Sequence, residues 1–215
     1  MIKGATSYKE TKFGIILRHK LVKLEILGTK KGHEFIHNLV KKDTSAPITP
    51  DLIKKLHKIS FGWIFPEWGG QFRKIQVTLS GKEAPEYFKV HELITNLCED
   101  LRVRLKHLPK SSEKDYIDKV VKLLSWFQHR FVFIHPFNDY NGRTARMLTI
   151  LILLRLNLPP IEIMAETGSD RKKYITAMQK ADDGNYSLLE GLIAQSLTEA
   201  LEKYRELQDK GFGKR

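Results

Sequence analysis

The sequence contains only one cysteine, Cys98, among its 215 residues. A lone cysteine cannot form an intramolecular disulfide, and no paired set of cysteines and histidines offers a structural zinc site. Both absences are typical of proteins that work in a reducing compartment. We therefore predict a cytoplasmic location.

Long hydrophobic runs are also missing. The longest mainly apolar run, Met147 to Leu154, is closed by the charged Arg155 and falls well short of the roughly 20 residues that a membrane span requires. The first residues lack the apolar segment of a secretory signal peptide. We therefore expect no membrane partner and interpret this run as a buried helix.

Internal repeats and low-complexity tracts are absent too. Apolar residues make up 41% of the chain and charged residues 29%, which is typical of a globular protein and not of a disordered one. The chain length suits a single domain. Turn-forming residues between Thr44 and Asp51 mark a boundary. We predict an N-terminal extension of uncertain structure over 1–44, a main domain over 45–208 and a basic tail over 209–215.

The charge balance is strongly basic. The formal net charge is +12 and the pI is about 9.6, a balance that attracts polyanions. No RNA-binding aromatic signature, zinc finger or helix-turn-helix pattern accompanies this charge. We therefore do not expect nucleic acid as the main partner.

The spacing of apolar residues predicts an all-α fold with one small β element. Apolar residues recur at intervals of three and four along most of the chain, as on one face of a helix. Between Gln71 and Gly81 they alternate with polar residues instead, which indicates a short strand or hairpin. The predicted helices cover 31–42, 51–60, a segment after Pro85 up to 105, 117–134, 143–157, 170–181 and 186–207.

The segment from His135 to Arg146 carries the chemistry of a phosphate site. The Asn141–Gly142 turn opens a helix, whose first backbone N–H groups and positive dipole end attract anions. Arg143 and Arg146 share one face of that helix and can both reach phosphate oxygens. Asp139 offers an oxygen ligand for Mg²⁺. His135 can accept a proton near neutral pH.

Each of these residues also has an ordinary structural interpretation. A histidine before proline often ends a helix, an Asp-Tyr-Asn-Gly run is usually a surface turn, and two arginines at helical spacing usually face solvent. Chance rarely produces the whole combination at this spacing in a chain of this length. We therefore interpret the segment as one functional motif.

The motif resembles the signature of the Fic family, His-x-Phe-x-Asp/Glu-Gly-Asn-Gly-Arg-x-x-Arg. It agrees at every fixed position except Tyr140, where the signature has Gly. Two further segments resemble the family, Phe131–Ile134 before the motif and Leu56–Arg73 before the family's flap hairpin. The likeness covers about residues 50 to 200. It implies the Fido fold, a mainly helical bundle with a small β-hairpin flap.

The resemblance implies a protein adenylyltransferase. Such an enzyme transfers AMP from ATP to a Ser, Thr or Tyr hydroxyl of a target protein and releases pyrophosphate, with Mg²⁺ on the nucleotide phosphates. His135 is then the catalytic base, Asp139 the Mg²⁺ ligand and Phe137 the structural anchor of the loop. The residues expected to bind the nucleotide phosphates are Asn141, Gly142, Arg143, Arg146 and Tyr140.

The flap is expected to align the target segment by strand addition. Its expected residues are Lys74, Ile75, Gln76, Val77, Thr78 and Leu79. Members of the family are often inhibited by a helix with the pattern Ser/Thr-x-x-x-Glu followed by Gly or Asn, and this sequence has no complete match. We therefore expect inhibition by a separate protein or none, and we count self-modification among the expected reactions.

Two points stay open at the level of sequence. If Tyr140 needs a positive φ, its backbone is strained by roughly 1–2 kcal/mol, and otherwise it adds a ring and a hydroxyl near the phosphates. The same loop could serve another nucleotide or phosphate donor, or the removal of AMP. A non-catalytic basic protein that binds nucleic acid or acts as a scaffold is the alternative from a different class.

Overall fold

The computed structural model describes residues 10–79, 82–163, 165 and 168–210. Helices dominate this part of the chain, which confirms the predicted all-α class with a small β element. Most of the predicted basic tail and the first nine residues of the predicted extension lie outside the described residues. The described helices are α1 (Arg18–Lys42), α2 (Pro50–His57), α3 (Val90–Lys106), α4 (Tyr116–Ile134), α5 (Asn141–Arg155), α6 (Gly168–Asp182) and α7 (Ser187–Asp209).

Helix α4 lies at the centre of the bundle and packs against α3, α5, α6 and α7. Most of its side chains are buried, and Val120, Leu124, Phe127 and Phe131 are completely buried. A helix with such a wide apolar face is stable only when other elements cover that face. This central position holds the C-terminal end of α4, where the motif begins, inside the protein.

Helix α1 takes up most of the predicted N-terminal extension. The apolar stripe that predicted a helix over 31–42 continues back to Arg18, and Leu21 and Ile36 are fully buried in the main core. Two glycines allow the helix to pack this closely. A Cβ atom at Gly28 would collide with the Ser60 carbonyl, and one at Gly32 would collide with the Met147 sulfur.

Helix α2 begins at the end of the turn-rich segment that predicted a boundary between Thr44 and Asp51. The Thr49 hydroxyl caps it by accepting a hydrogen bond from the Leu52 N–H at 3.2 Å. The predicted helix over 51–60 continues as a single π-helical turn, Lys58–Gly62, hereafter the π-turn. This turn packs against α1 and directs the chain toward the flap.

The flap is shorter than predicted. A strand over 74–79 was expected, but only Thr78–Leu79 (β3) pairs with Lys82–Glu83 (β4), in antiparallel register. The carbonyl of Ile75 is instead bound by the Arg73 guanidinium, so it does not join a ladder. A second small hairpin, Glu10–Thr11 (β1) and Gly14–Ile15 (β2), was not predicted.

The predicted helix ends agree with the structure to within a few residues elsewhere. Helix α5 begins at Asn141, two residues before the predicted start, and ends at Arg155. Across the part of the chain that is described, no helix combines the length and apolar character needed to cross a membrane.

Candidate active site

A short loop, 136–140, joins the C-terminal end of α4 to the N-terminal end of α5. The residues on either side of its turn, His135 and Tyr140, have left-handed backbones with φ of 51° and 60°. This conformation costs a side chain with a Cβ roughly 1–2 kcal/mol. Specific contacts must therefore hold both residues, and the structure provides them.

His135 is half-buried and neutral at physiological pH. Its Nδ1 lies 3.2 Å from the Val132 carbonyl oxygen. Because a carbonyl can only accept, Nδ1 carries the proton and Nε2 keeps its lone pair. Burial lowers the pKa of His135 to about 4, the hydrogen bond to Val132 raises it, and the positive charge of Arg73 lowers it further. A neutral imidazole with an available Nε2 can take up a proton.

Phe137 and Asn141 hold the loop closed. The Phe137 ring is fully buried and stacks on His57, with ring centroids 3.8 Å apart. The buried Asn141 amide accepts from the Phe137 N–H and donates to its carbonyl, both at 2.8 Å. Because this amide is occupied within the loop, the group that Asn141 can offer an anion is its backbone N–H.

His57, the last residue of α2, supports the loop, although the sequence analysis assigned it no role. Its Nδ1 accepts a hydrogen bond from the Gly70 N–H at 2.9 Å, so the proton resides on Nε2. Nε2 then donates to the Asp139 carbonyl at 3.2 Å. Burial lowers the pKa of His57 to about 3, so the ring stays neutral and keeps this tautomer.

Asp139 is half-exposed on the loop. Its Oδ1 accepts a hydrogen bond from the Tyr140 N–H at 2.6 Å, which orients the carboxylate. Among the described residues, no three acidic or histidine side chains are grouped closely enough to hold a metal by themselves. The single carboxylate of Asp139 fits Mg²⁺, which usually binds one or two carboxylates together with substrate phosphates and water.

Arg146 lies beside the N-terminal turn of α5. Its Nη1 is 3.4 Å from the position of a Cβ atom at Gly142, and its guanidinium is 5.9 Å from the Tyr174 ring centroid. The buried Tyr174 hydroxyl also accepts from Gln128 at 2.7 Å, and Gln128 in turn accepts from Thr149. This polar chain fixes Arg146 next to the helix end, where an anion would bind.

Arg143 is held by a carboxylate that sequence analysis missed. Glu25 of α1 is almost fully buried, at 1% exposure, and its Oε2 is 3.0 Å from Arg143 Nη1. Its Oε1 is 2.9 Å from Arg18 Nη1 and 2.7 Å from the Tyr140 hydroxyl. An anion that binds Arg143 must share it with Glu25.

The structure shows the backbone conformation and the side-chain direction of Tyr140, which the sequence left open. Its φ is positive, and its ring is 7% exposed and stacked on Phe61 with centroids 4.2 Å apart. The side chain therefore lies in the core against α1 and the π-turn, so its ring and hydroxyl are not exposed for the phosphate contact that the sequence led us to expect. Burial, together with Glu25, raises the pKa of its hydroxyl, which stays protonated and donates to the carboxylate.

The Tyr140 ring is expected to stabilise the fold by more than its backbone strain costs. Tyr140→Gly would relieve about 1–2 kcal/mol of strain but lose about 3–5 kcal/mol of aromatic burial, for a net loss of about 1–4 kcal/mol. Tyr140→Phe keeps the ring and removes the hydroxyl that donates to Glu25, so it should lose about 1.5 kcal/mol. Denaturant unfolding measures the stability of both variants. A Tyr140→Gly variant as stable as the parent protein would contradict the expectation that ring burial outweighs the backbone strain.

An open cavity of about 970 Å³ adjoins the two motif arginines. It lies between α1, α5 and α7, and Arg143 and Arg146 form part of its wall. Its other cationic side chains are Arg18, Lys30 and Lys203. Both guanidinium groups therefore line a cavity that opens to solvent.

Most of the expected flap residues lie at the protein surface. Ile75 is 58% exposed although it is apolar, and Lys74, Gln76 and Thr78 are exposed as well. Val77 is half-buried and accepts a hydrogen bond from the Ala84 N–H at 3.0 Å. Leu79 belongs to β3. The four exposed positions, Lys74, Ile75, Gln76 and Thr78, are accessible from solvent.

The fold and the site together define a helical protein in which a short loop with a histidine before it joins two central helices. Residues 47–153 match the model of the Fic/DOC family. The chain is 30% identical to protein adenylyltransferase Fic of Aedes aegypti over 183 residues, which cover 84% of this chain and 34% of that protein. It is 28% identical to protein adenylyltransferase Fic of Nematostella vectensis over 196 residues, which cover 91% of this chain and 43% of that protein. The chain belongs to the Fic/DOC family and spans less than half of the length of these curated relatives.

Solved structures share the fold. Fic-1 from C. elegans has a TM-score of 0.71 at 23% identity, with 93% of this chain and 56% of that chain covered. The N-terminal Fic domain of Bep8 from Bartonella sp. 1-1C has a TM-score of 0.68 at 16% identity, with 91% and 93% covered. BepC from Bartonella tribocorum, solved with bound AMPPNP, has a TM-score of 0.64 at 17% identity, with 91% and 94% covered.

Proposed function

We propose that this protein is an adenylyltransferase that moves AMP from ATP to a hydroxyl side chain of a target protein. The observation that carries this proposal is a neutral His135, with an available Nε2, one short loop away from a helix N-terminus flanked by Arg146. A base and an anion-binding site in this arrangement suit attack by a hydroxyl on a phosphate. The adenylyltransferase relatives from Aedes aegypti and Nematostella vectensis support the same reaction.

The proposed reaction forms one bond to phosphorus and breaks another. The target oxygen attacks the α-phosphorus of ATP, and the bond from that phosphorus to the bridging oxygen of the β-phosphate breaks. His135 Nε2 takes the proton of the attacking hydroxyl. The products are the AMP-modified target and pyrophosphate. The helix N-terminus, Arg143 and Arg146 bind the phosphates, on which negative charge accumulates as the leaving group departs.

Asp139 is the residue that would hold Mg²⁺. A bound Mg²⁺ supplies neutralising charge to the phosphates of the nucleotide. The hydrogen bond from the Tyr140 N–H and the support of the Asp139 carbonyl by His57 keep this side of the loop in place. The proposed substrate is therefore ATP bound with Mg²⁺.

The partners follow from the exposed flap. A target segment would add to the edge of the hairpin through backbone hydrogen bonds, which position a segment without requiring a particular sequence. The protein's own hydroxyl side chains are a further target, and an inhibitor acting in trans remains part of the proposal. The buried Cys98, the single cysteine of the chain, supports a cytoplasmic location.

Incubation with labelled ATP and Mg²⁺ tests the proposed function. Label at the α-phosphate should become covalently attached to the protein itself or to proteins of a lysate, whereas label at the γ-phosphate should not. Attachment of the γ-label would identify a kinase. Release of AMP from a modified protein, or transfer from a different nucleotide alone, would support one of the alternative reactions. Absence of any transfer with intact ATP binding would contradict the enzyme assignment.

Removal of Arg146 should weaken ATP binding. Arg146→Ala loses a charge-assisted contact worth at least about 1–2 kcal/mol, which corresponds to a roughly five- to thirtyfold loss of affinity. The loss should persist at moderate salt, because short contacts are screened less than a diffuse field. Calorimetry at two ionic strengths measures it.

Arg102→Ala is the matched control, since Arg102 is an exposed arginine on α3 that pairs with Glu99. It should leave ATP affinity within about twofold of the parent value. If both variants lose affinity equally, and the loss disappears at moderate salt, then the general basic surface and not the motif binds the phosphates.

A further inference from the structure

Arg73 is a buried arginine between the motif and the flap. Its side chain is 2% exposed, yet no carboxylate among the described residues pairs with it. Its hydrogen-bond partners among the described residues are all backbone carbonyls. Nε donates to the His135 carbonyl at 2.8 Å and Nη1 to the Ile75 carbonyl at 2.9 Å. Nη2 donates to the carbonyls of Pro85 and Ile134.

These carbonyls belong to two separate parts of the site. Those of Ile134 and His135 lie at the C-terminal end of α4, where the backbone turns into the left-handed conformation of the catalytic base. Those of Ile75 and Pro85 lie on the two sides of the flap hairpin, one before β3 and one after β4. The Arg73 N–H adds a bond to the Pro136 carbonyl at 2.8 Å. One side chain therefore connects the base to both stems of the flap.

Only an arginine can make this set of bonds. The planar guanidinium presents five N–H donors in a fixed fork, whereas a lysine ammonium is a compact charge with three donors and no fixed plane. The positive charge also lies against the last carbonyls of α4, at the negative end of the helix dipole. Without these donors, the carbonyls would lose their partners inside the protein.

We propose that Arg73 is a positioning residue that holds the flap and His135 in one fixed relation, so that a target docked on the flap presents its hydroxyl to the base. This inference rests on the proposed adenylyltransferase function. Because the Arg73 side chain is buried and bonded to backbone carbonyls, it acts through the two elements that it joins. Its loss should therefore lower the rate of transfer much more than the affinity for ATP.

Two variants and one control test this role. Arg73→Gln removes the charge and most of the donors, while Arg73→Lys keeps the charge and removes the fork. Arg155→Gln is the control, because Arg155 is a half-buried arginine at the opposite end of α5, about 21 Å along that helix from the motif. The measurements are AMP transfer from α-labelled ATP, ATP affinity, amide hydrogen exchange and the titration of His135 followed by NMR.

Both Arg73 variants should transfer AMP about ten- to hundredfold more slowly, with ATP affinity within about twofold of the parent value. The Ala84 amide, which bonds to Val77 across the flap, should lose protection from exchange while core amides of α4, such as that of Leu124, keep theirs. Arg73→Gln should also raise the pKa of His135 above its value of about 4, because a neighbouring positive charge is removed. The control should change none of these.

Contrary results are equally distinct. Parent-like transfer and flap protection in Arg73→Lys would overturn the proposal, and this variant decides the matter if Arg73→Gln does not fold. Equal loss of protection in the flap and in α4 would also overturn it, because Arg73 would then support only the overall fold. If the parent protein transfers no AMP, the proposed function fails, while the exchange and titration results still show whether Arg73 joins the two elements.

Discussion

Replacing His135 with alanine should lower AMP transfer by about 10²- to 10⁴-fold, the usual contribution of a general base. ATP binding should stay within about tenfold of the parent value, because the base acts on the incoming hydroxyl and not on the nucleotide. Transfer of α-label measures the first effect and calorimetry the second. Loss of ATP binding by more than about tenfold would contradict the assignment of His135 as the base.

The pH dependence provides a second check on His135. Burial lowers the pKa of this histidine to about 4, so Nε2 is unprotonated above that pH and becomes protonated as the pH falls through it. The acidic limb of transfer should therefore lie near pH 4, well below the value of about 6.5 for an exposed histidine. Transfer that is lost around pH 6.5 would indicate a different base, or a His135 that is more exposed in the complex.

Asp139→Asn should nearly abolish transfer at every Mg²⁺ concentration. The amide oxygen can still accept the hydrogen bond from the Tyr140 N–H, so the loop should keep its shape while losing the charge that attracts the metal. Loss of metal assistance costs several kcal/mol, which corresponds to about a hundredfold or more in rate.

The matched control for Asp139 is Asp118→Asn, an exposed acid on α4 that pairs with Lys122. It should keep the parent rate and the parent Mg²⁺ dependence. Titration of Mg²⁺ against transfer rate separates the two variants. Full activity in Asp139→Asn would remove this carboxylate from the site.

The motif could be predicted from sequence because its residues are adjacent in the chain. A loop between two helices brings His135, Asp139 and the start of α5 together whatever the rest of the fold does. The buried helices could also be predicted from the sequence, since α4 and α5 carry long apolar patterns. What these local patterns left undecided was the direction of the Tyr140 ring, which depends on Phe61 and Glu25.

The supporting residues could not be predicted, because their partners are remote in sequence. Glu25 lies 118 positions from Arg143, and His57 lies 82 positions from Asp139. Glu25 occupies a position in the buried stripe of α1 together with Leu21, Gly28 and Gly32, so a charged residue on an otherwise buried face was the available signal. Arg73 gave no such signal, because its partners are backbone carbonyls, which every residue possesses.

Helix α1 sets the smallest fragment in which this site can remain intact. A fragment cut at residue 47, where the family match begins, would retain the entire signature. It would nevertheless lack Glu25, the buried acceptor of the Tyr140 hydroxyl and an ion-pair partner of Arg143. It would also uncover the surface of Ser60 and Met147 against which Gly28 and Gly32 pack. A fragment for expression or crystallisation should therefore begin before Arg18, because the boundary of the family match falls inside the folding unit.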